Sequence, residues 1–185
     1  VRNMGTVVGN LCNASPCADN VPTLVAMGAE AVVMGSDGEK RIPLGTFHTG
    51  PGKTALEPGT LVTAIQVPPP PGGSGAAYRN ISARSRVDMS AAGAGAYVEM
   101  NGGTCSDVRI VMGSVGPTPL RARRAESMLK GVKPTAALIE KTGQAAAKES
   151  KPISDVRASA YWRKQVVAAL VSRALTGAFQ QARKG

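Results

Sequence analysis

A chain of 185 residues that is 43% hydrophobic can bury a core, which excludes an intrinsically disordered protein. Aromatic residues make up only 3%, so the core must consist of aliphatic side chains and alanine, and no apolar run is long enough to predict a membrane span. The formal net charge of +10 is concentrated after residue 75, where eighteen basic residues accompany seven acidic ones, against four and five before it.

The first elements lie around GTVVGNLCNASPCADN, residues 5–20. Residues 1–8 are typical of a short strand that is already under way, and the chain has no initiator Met, so we expect Val1 to be a cut edge. Ser15 followed by Pro16 is typical of a helix N-cap with proline at the first helical position. This pattern predicts a helix over 17–27 that ends at Gly28.

The next segments predict a small sheet and a connector. Segments 29–36 and 39–45 flank a glycine-containing turn and predict a β-hairpin. The irregular segment 46–56 has room for one helical turn, and 61–68 is typical of a strand. PPPPGGSG, residues 68–75, follows this strand. We interpret it as a connector, because proline cannot donate ladder hydrogen bonds and glycine is flexible. We place a domain boundary there, which gives domains at 1–71 and 72–185.

The sequence of the second domain predicts an antiparallel sheet covered by helices, which is an α+β arrangement. Its predicted strands cover 76–84, 90–101 and 106–115, with a hairpin turn at Asn101-Gly102-Gly103, and its predicted helices cover 120–130, 134–149 and 159–183. The small residues from Ala91 to Ala96 suit a strand that packs closely against a helix. The alternative, a glycine-rich phosphate loop, is not followed by a helix start.

The last predicted helix carries one apolar stripe at helical spacing, which indicates a core face rather than a cofactor site. The stripe contains Trp162, Val166, Val167, Leu170, Val171, Ala174, Leu175, Ala178 and Phe179. We expect the basic residues of this helix to lie mostly off the stripe; they are Arg163, Lys164, Arg173 and Arg183.

No pair of side chains is typical of a self-contained catalyst, so we predict no catalytic residue. The one histidine, His48, is more typical of a surface or capping residue. Cys12 and Cys17 have the spacing of metal ligands only if two more are available, and the remaining Cys105 is remote, so we predict no metal site. The three cysteines form no disulfide framework and no signal peptide precedes them, which favours a cytoplasmic location.

Residues 5–20 allow two interpretations, a strand–loop–helix corner or a cradle for a phosphorylated cofactor. Gly5 and Gly9 would let the backbone approach a ligand, and exposed N–H groups can bind phosphate oxygens. Asn10 and Asn13 can bind hydroxyl groups, and Asp19 can accept from a sugar. Asp19 in a first helical turn is also simply favourable to the helix dipole.

The whole chain resembles a known family, the molybdenum hydroxylase flavoproteins. VRNMGTVVGNLCNASPCADNVPTLVAMGAEAVV resembles the family's second FAD-binding segment, V-R-N-x-G-T-I-G-G-N-L followed by A/S-D and P-x-L-x-A-L-x-A. LVTAIQVPPPP resembles the end of that domain, while YRNISARSRVDMSAAGAGAYVEM, GSVGPTPLRARRAE and DVRASAYWRKQVVAALVSRAL resemble the C-terminal domain. The resemblance implies the second half of a PCMH-type FAD-binding domain followed by a flavoprotein C-terminal domain.

The resemblance implies an electron-transfer subunit of a xanthine or carbon monoxide dehydrogenase-type oxidoreductase. Electrons would pass from a molybdopterin-binding large subunit through the [2Fe–2S] clusters of a small subunit to FAD and then to an acceptor. The FAD contacts implied by the family pattern are Thr6, Val7, Val8, Gly9, Asn10, Asn13, Asp19, Val62 and Arg79. Asp88 matches a further family Asp whose contact with FAD is less direct.

The chain departs from the family pattern in two places. Val8 replaces the first Gly of the Gly-Gly pair, and a β-branched residue disfavours positive φ, so an altered turn is expected. The family's other FAD loop, A-G-G-T/H, belongs upstream and is missing from these residues. Either another chain supplies it, or it has been removed, or the site is incomplete, so we expect weak or no FAD binding by this chain alone.

Three functions therefore remain open at the level of sequence. The first is the FAD-binding electron-transfer subunit. The second is a flavin-free fragment or interaction module that docks partner subunits through its basic C-terminal half. The third is nucleic-acid binding, suggested only by the basic charge and disfavoured because aromatic residues are not interleaved with the basic ones. A [4Fe–4S] insertion after Cys12, found in one related subfamily, has no room before Asp19.

Overall fold

The computed structural model describes residues 3–82 and 88–184. The first part of the chain contains short elements: α1 (Val7–Cys12), α2 (Asn20–Ala26), β1 (Glu30–Gly35), β2 (Gly38–Pro43), α3 (Leu44–Phe47), β3 (His48–Gly50), β4 (Lys53–Thr54) and β5 (Leu61–Gln66). The second part contains longer ones: β6 (Ser74–Ser82), β7 (Ser90–Asn101), β8 (Thr104–Gly113), β9 (Leu120–Arg121), α4 (Arg123–Ser127), α5 (Ala136–Glu149) and α6 (Ala160–Ala182). Every pairing between these strands is antiparallel, which confirms the predicted α+β class.

The first part folds around a three-stranded sheet in the order β2-β1-β5. The predicted hairpin is confirmed, with Gly35 paired to Gly38 at its turn. Helices α1, α2 and α3 bring apolar side chains onto this sheet, and the buried core contains Leu11, Ala18, Val21, Ala29, Ala31, Val33, Leu44, Phe47 and Val62. The predicted helical turn in the irregular segment corresponds to α3, which begins two residues earlier and is followed by the small β3–β4 ladder.

The predictions for the N-terminal segment need correction. No strand precedes the first loop among the described residues of 1–8; Val7 instead begins α1, because the Thr6 hydroxyl caps a helical turn. The next helix begins at Asn20 rather than at Cys17. Ser15 does not cap it, because Ser15 Oγ accepts from the Cys17 N–H at 3.2 Å and closes a local turn.

Helix α2 ends close to the predicted position, at Ala26 with Met27 as its C-cap directly before Gly28. Gly28 has φ +74°, a conformation that costs glycine little, and a Cβ there would lie 2.7 Å from the Arg109 guanidinium. That guanidinium donates to the Ala26 carbonyl at 3.2 Å and lies 4.9 Å from the Tyr97 ring centre. The Arg109 guanidinium thus holds the end of α2 against the second sheet.

The second part is built on a four-stranded sheet in the order β6-β7-β8-β9. The three predicted strands are confirmed, but the sheet is larger than the three strands expected, and the helix predicted over 120–130 was wrong at its start. Leu120 and Arg121 pair with Met112 and Val111 as β9, so that only a short helix, α4, follows. Leu120 and Arg121 form a strand because they can pair with the free edge of β8, and they could not make these hydrogen bonds in a helix.

Strand β7 is buried on both faces, which explains its small residues. Its even-numbered residues, Ala92, Ala94, Ala96 and Val98, belong to the core shared with α5 and α6. On the other face, a Cβ added at Gly95 would lie 2.9 Å from the backbone of Pro22 and Thr23 in α2. The predicted close packing of this strand against a helix is confirmed, and the phosphate-loop alternative was wrong.

The apolar stripe of α6 is confirmed from Val166 to Phe179, with corrections at its first turn. Trp162 is 38% exposed, so it lies at the edge of the core. Arg163 is buried with only 3% exposure, although it was expected off the stripe. Its burial is compensated because its terminal nitrogens donate to the Ser114 carbonyl at 2.9 Å and to Asp155 Oδ1 at 2.6 Å.

Candidate functional site

The predicted ligand turn from Thr6 to Asn10 is the first turn of α1. Thr6 is the N-cap, and its Oγ1 accepts from the Gly9 N–H at 2.9 Å, while the Asn10 N–H donates to the Thr6 carbonyl at 3.0 Å. A Cβ at Gly9 would lie 2.8 Å from Thr6 Oγ1, closer than real contacts allow. Glycine is therefore required here by the cap itself.

An open groove of about 540 Å³ runs along this turn. It is lined by eight residues, five of them predicted site residues: Met4, Gly5, Thr6, Val7, Gly9, Asn10, Asn13 and Asn20. Val8 is also predicted in this segment but does not line the groove. Its side chain packs on the core of the β2-β1-β5 sheet. Val8 has helical backbone without positive φ, which a β-branched side chain can adopt, and an alteration of the turn relative to the family stays a prediction.

Asp19 lies in a polar network that the sequence analysis did not foresee. It is half-buried and accepts at Oδ1 from the Tyr78 hydroxyl at 2.5 Å and from Ser90 Oγ at 2.6 Å. Asn80 Nδ2 donates to Ser90 Oγ at 2.7 Å and lies 3.4 Å from Asp19 Oδ2. The loop before α2 is thus joined to the second sheet, while Oδ2 keeps capacity for another donor.

The Tyr78 phenol is the most strongly perturbed group of this network. Burial raises its pKa far above the ordinary value, and the hydrogen bond to Asp19 and the negative charge there raise it further. The phenol therefore remains a hydrogen-bond donor to Asp19 throughout the neutral range. Tyr78 and Asn80 lie two residues apart in β6, and the period-2 alternation of a strand would have placed them on one face.

Three other predicted residues lie apart from the groove. Val62 is 7% exposed and belongs to the core of the first sheet, where it pairs with Val33. Arg79 lies between Tyr78 and Asn80 and so faces the opposite side of β6, where it lines a groove against α6. Asp88 accepts from the Met89 N–H at 2.8 Å. Their contacts with a cofactor stay predictions.

His48 is buried rather than at the surface, and of the two expected roles it takes that of a capping residue. Its Nε2 lies 2.7 Å from the Leu11 carbonyl in the last turn of α1, and its Nδ1 is buried without a partner. Since a carbonyl only accepts, Nε2 carries the proton and donates. His48 thus supports the base of the helix whose first turn lines the groove.

Residues 3–82 and 88–184 contain no cluster of three or more His, Cys, Asp or Glu side chains that could hold a metal ion. None of the helices within those ranges is long and apolar enough to cross a membrane.

Comparison with known protein families covers both parts of the chain. Residues 76–178 match the CO dehydrogenase flavoprotein C-terminal domain, and residues 1–70 match the FAD binding domain in molybdopterin dehydrogenase. The chain belongs to the CO dehydrogenase flavoprotein family. The resemblance of the sequence motifs to this family is thereby confirmed, and FAD is the cofactor of the domain that carries the Thr6–Asn10 turn.

Relatives in this family are medium or FAD-binding subunits of oxidoreductases. The carbon monoxide dehydrogenase medium chain of Afipia carboxidovorans is 32% identical over 99% of this chain and 63% of its own length. A putative xanthine dehydrogenase FAD-binding subunit of Escherichia coli K12 is 28% identical over 96% of this chain and 61% of its own. The chain therefore spans about three-fifths of the length of these relatives.

Solved structures of the CO dehydrogenase flavoprotein family share this fold. The carbon monoxide dehydrogenase of Hydrogenophaga pseudoflava, in a form lacking the Mo-pyranopterin moiety, superposes with a TM-score of 0.92 at 32% identity. The match covers 97% of this chain and 62% of that one. Both the hairpin sheet and the helix-covered sheet described above are thus features of the family.

The groove fits FAD in its chemistry. The amides of a first helical turn have no partner within the helix, so the N–H groups of Val7 and Val8 are available to phosphate oxygens. Gly9 leaves the groove wall without a side chain, and Asn10 and Asn13 present amide groups that can bind hydroxyls. These are the groups that a phosphorylated, hydroxyl-rich cofactor requires.

Proposed function

We propose that this chain forms one wall of the FAD site in an electron-transfer subunit of a molybdenum-containing hydroxylase or dehydrogenase. The observation that carries the proposal is the groove along the Thr6–Asn10 turn, which Thr6, Gly9 and Asn10 line together with Asn13. The family of the domain supplies the identity of the cofactor. FAD, when bound, would provide the redox chemistry, because a flavin can take up electrons singly and release them in pairs.

The chain's own contribution is to bind and orient the cofactor. In the proposal, Thr6, Gly9 and Asn10 present the backbone of the turn, and Asn13 binds a hydroxyl group at its far end. Asp19 accepts a hydrogen bond through Oδ2, while Tyr78 and Ser90 fix its orientation through Oδ1. Val62 and Arg79 remain proposed contacts of the flavin ring, although Val62 is buried in the core of the first sheet and Arg79 lines a different groove.

We further propose the partners and location that this role requires. Electrons would arrive from [2Fe–2S] clusters of a small subunit, which receives them from a molybdopterin-binding large subunit, in the cytoplasm. The excess of basic residues after residue 75 supports docking on acidic partner surfaces. If the A-G-G-T/H loop lies on a separate chain, that chain would complete the site, and the boundary at 71/72 would divide the cofactor wall from the docking part.

Asn13→Asp in the assembled complex tests the proposed site. Asn13 is exposed at the end of α1, so the added charge leaves folding intact but repels phosphate from the groove. We expect flavin content per chain, measured by absorbance near 450 nm and by released flavin, to fall several-fold. The matched control, Asn101→Asp in the exposed β7–β8 turn, should retain full flavin content.

Equal flavin content in the two variants would contradict the assignment of this groove. Reduction of the molybdenum centre by substrate should be unaffected in both variants, because that centre lies on another subunit in the proposal. Loss of that reaction together with flavin would instead indicate a disrupted assembly.

A second candidate function is a flavin-free docking module, favoured by the charge of the C-terminal half. Intact mass and a visible spectrum of the purified material distinguish the two. A chain of about 18.9 kDa without absorbance near 450 nm and without iron-containing partners supports the docking module. A flavin band with co-purifying larger chains supports the electron-transfer subunit.

A further inference from the structure

A second cavity, of about 400 Å³, lies where the two parts of the chain meet. Its walls come from five segments that are distant in sequence: 15–17 before α2, Pro51 between β3 and β4, Met89 before β7, 114–117 after β8, and 151–163 leading into α6. This volume is in the range that small-molecule sites occupy. The cavity shares no lining residue with the groove along the Thr6–Asn10 turn.

One wall of the cavity is charged, and cations outnumber anions there. Asp155 pairs with two guanidinium groups, Arg163 at 2.6 Å and Arg157 at 3.2 Å. The exposed Lys151 adds a third positive charge to the lining. Among the described lining residues three cations thus accompany a single carboxylate, and the remaining positive charge favours a bound anion.

Arg157 is the guanidinium of this wall whose hydrogen-bonding capacity is less fully used. Its NH1 group contacts only sulfur atoms, Cys17 Sγ at 3.1 Å and Met89 Sδ at 3.5 Å, which are weak acceptors. Met89 is 54% exposed and can move aside. An oxygen anion in the place of these sulfurs would form a charge-assisted hydrogen bond, which is considerably stronger.

Two further features of the cavity wall are unusual. Among the described residues, three buried side-chain nitrogens have no partner, and two of them are Arg157 Nε and Arg163 Nε in this wall. Ser114, also in the lining, has φ +61°, a conformation that is unfavourable for residues other than glycine. It is held there because Arg163 binds its carbonyl and its N–H donates to the Pro16 carbonyl at 2.8 Å. Such strain is found preferentially at ligand sites.

The remaining walls are apolar. Pro16, Pro51, Pro117 and Ile153 face the space in front of the arginines. We propose that this cavity binds a small organic carboxylate, with its carboxylate on the Arg157 guanidinium and its apolar body between the prolines and Ile153. A carboxylate with an apolar body fits better than a phosphate because the walls in front of the guanidinium are prolines and Ile153, which an inorganic phosphate would leave without contact.

Isothermal titration calorimetry of the 185-residue chain with benzoate tests the proposal. Benzamide, which has the same shape without the charge, and inorganic phosphate, which has charge without the apolar body, are the comparison ligands. We expect saturable binding of benzoate and at least about tenfold weaker binding of the other two ligands. Benzamide lacks the charge that pairs with Arg157, and phosphate lacks the apolar body that contacts the prolines. Absence of saturable benzoate binding, or equal binding of benzamide, would overturn the proposal.

Matched variants at Met89 locate the binding without disturbing the buried ion pairs. Met89→Glu places a carboxylate beside Arg157 that competes with the ligand, whereas Met89→Gln has the same size without the charge. Met89 is exposed, so both should fold. Benzoate affinity should fall about tenfold or more in Met89→Glu relative to Met89→Gln. Equal affinities would place benzoate elsewhere and refute the site.

Arg157→Gln provides a direct test if its thermal unfolding remains cooperative. It should abolish benzoate binding, while Arg123→Gln, at an exposed position in α4, should leave it unchanged. Benzoate binding that survives Arg157→Gln would contradict the role given to the guanidinium. Flavin content plays no part in these measurements, so the result is independent of the proposed electron-transfer function.

Discussion

Tyr78 donates its phenolic hydrogen to Asp19 Oδ1 across 2.5 Å and thereby joins two residues separated by 59 positions in the chain. Asp19 lies directly before α2, while Tyr78 lies in the edge strand of the second sheet. The same face of that sheet receives the backbone of α2 at Gly95. The orientation of the proposed cofactor ligand Asp19 is thus set by the second part of the chain and not by its own loop.

Replacing Tyr78 by Phe should destabilise the protein by about 1.5–3 kcal/mol, the value of a hydrogen bond to a charged group. Asp19 would keep the bonds from Ser90 and Asn80, so the structure should remain folded. Urea unfolding at neutral pH measures the effect. Tyr161→Phe is the control, because Tyr161 is 76% exposed and should change the unfolding free energy by less than about 0.5 kcal/mol.

The same pair makes stability depend on alkaline pH. The folded-state pKa of Tyr78 is raised above 10.0, so the folded state holds the phenolic proton after the unfolded chain has released it. The contribution is therefore fully present below pH 10 and is lost as the pH rises toward the folded-state pKa. The difference in unfolding free energy between wild type and Tyr78→Phe should be constant near neutral pH and should shrink above about pH 10. A difference that does not change with pH would contradict the assigned pKa shift.

Gly95→Ala should weaken the contact between the two parts of the chain. The added methyl group would lie 2.9 Å from the backbone of Pro22 and Thr23, which cannot move without shifting α2. Overpacking of this kind costs about 1–3 kcal/mol. Gly72→Ala is the matched control, because a methyl group there meets nothing within 4 Å. Equal unfolding midpoints for the two variants would show that α2 does not pack on β7 as described.

The effect of Gly9→Ala should change sign with the residue at position 6. In the wild type the new methyl group would lie 2.8 Å from Thr6 Oγ1 and would displace the cap, which costs about 0.5–2 kcal/mol. In a Thr6→Ala background the cap is already lost, and Gly9→Ala should stabilise α1 by up to about 1 kcal/mol through helix propensity. Thermal unfolding of the four proteins in this double-mutant cycle measures the coupling. Additive effects would contradict the capping interaction.

Much of the architecture could be predicted from local sequence. The hairpin from Glu30 to Pro43, the β7–β8 turn at Gly102 and the long helix α6 each depend on turn chemistry or on apolar periodicity within the element. The ordered motifs likewise indicated the family, because they extend over nearly the whole chain. The N-terminal segment was misread as a strand because Val7 and Val8 favour strands, whereas the Thr6 cap and the core contact of Val8 decide for a helix.

What the sequence by itself determined is the α+β class, the family and the residue types available for a phosphorylated cofactor, since these depend on local patterns and ordered motifs. Only the tertiary structure decided which side chains meet. It paired Asp19 with Tyr78 and Ser90, and it buried Arg163 against the Ser114 carbonyl. Contacts between residues so far apart in the chain depend on how the two sheets and their helices pack, and no pattern within a short stretch of sequence records that packing.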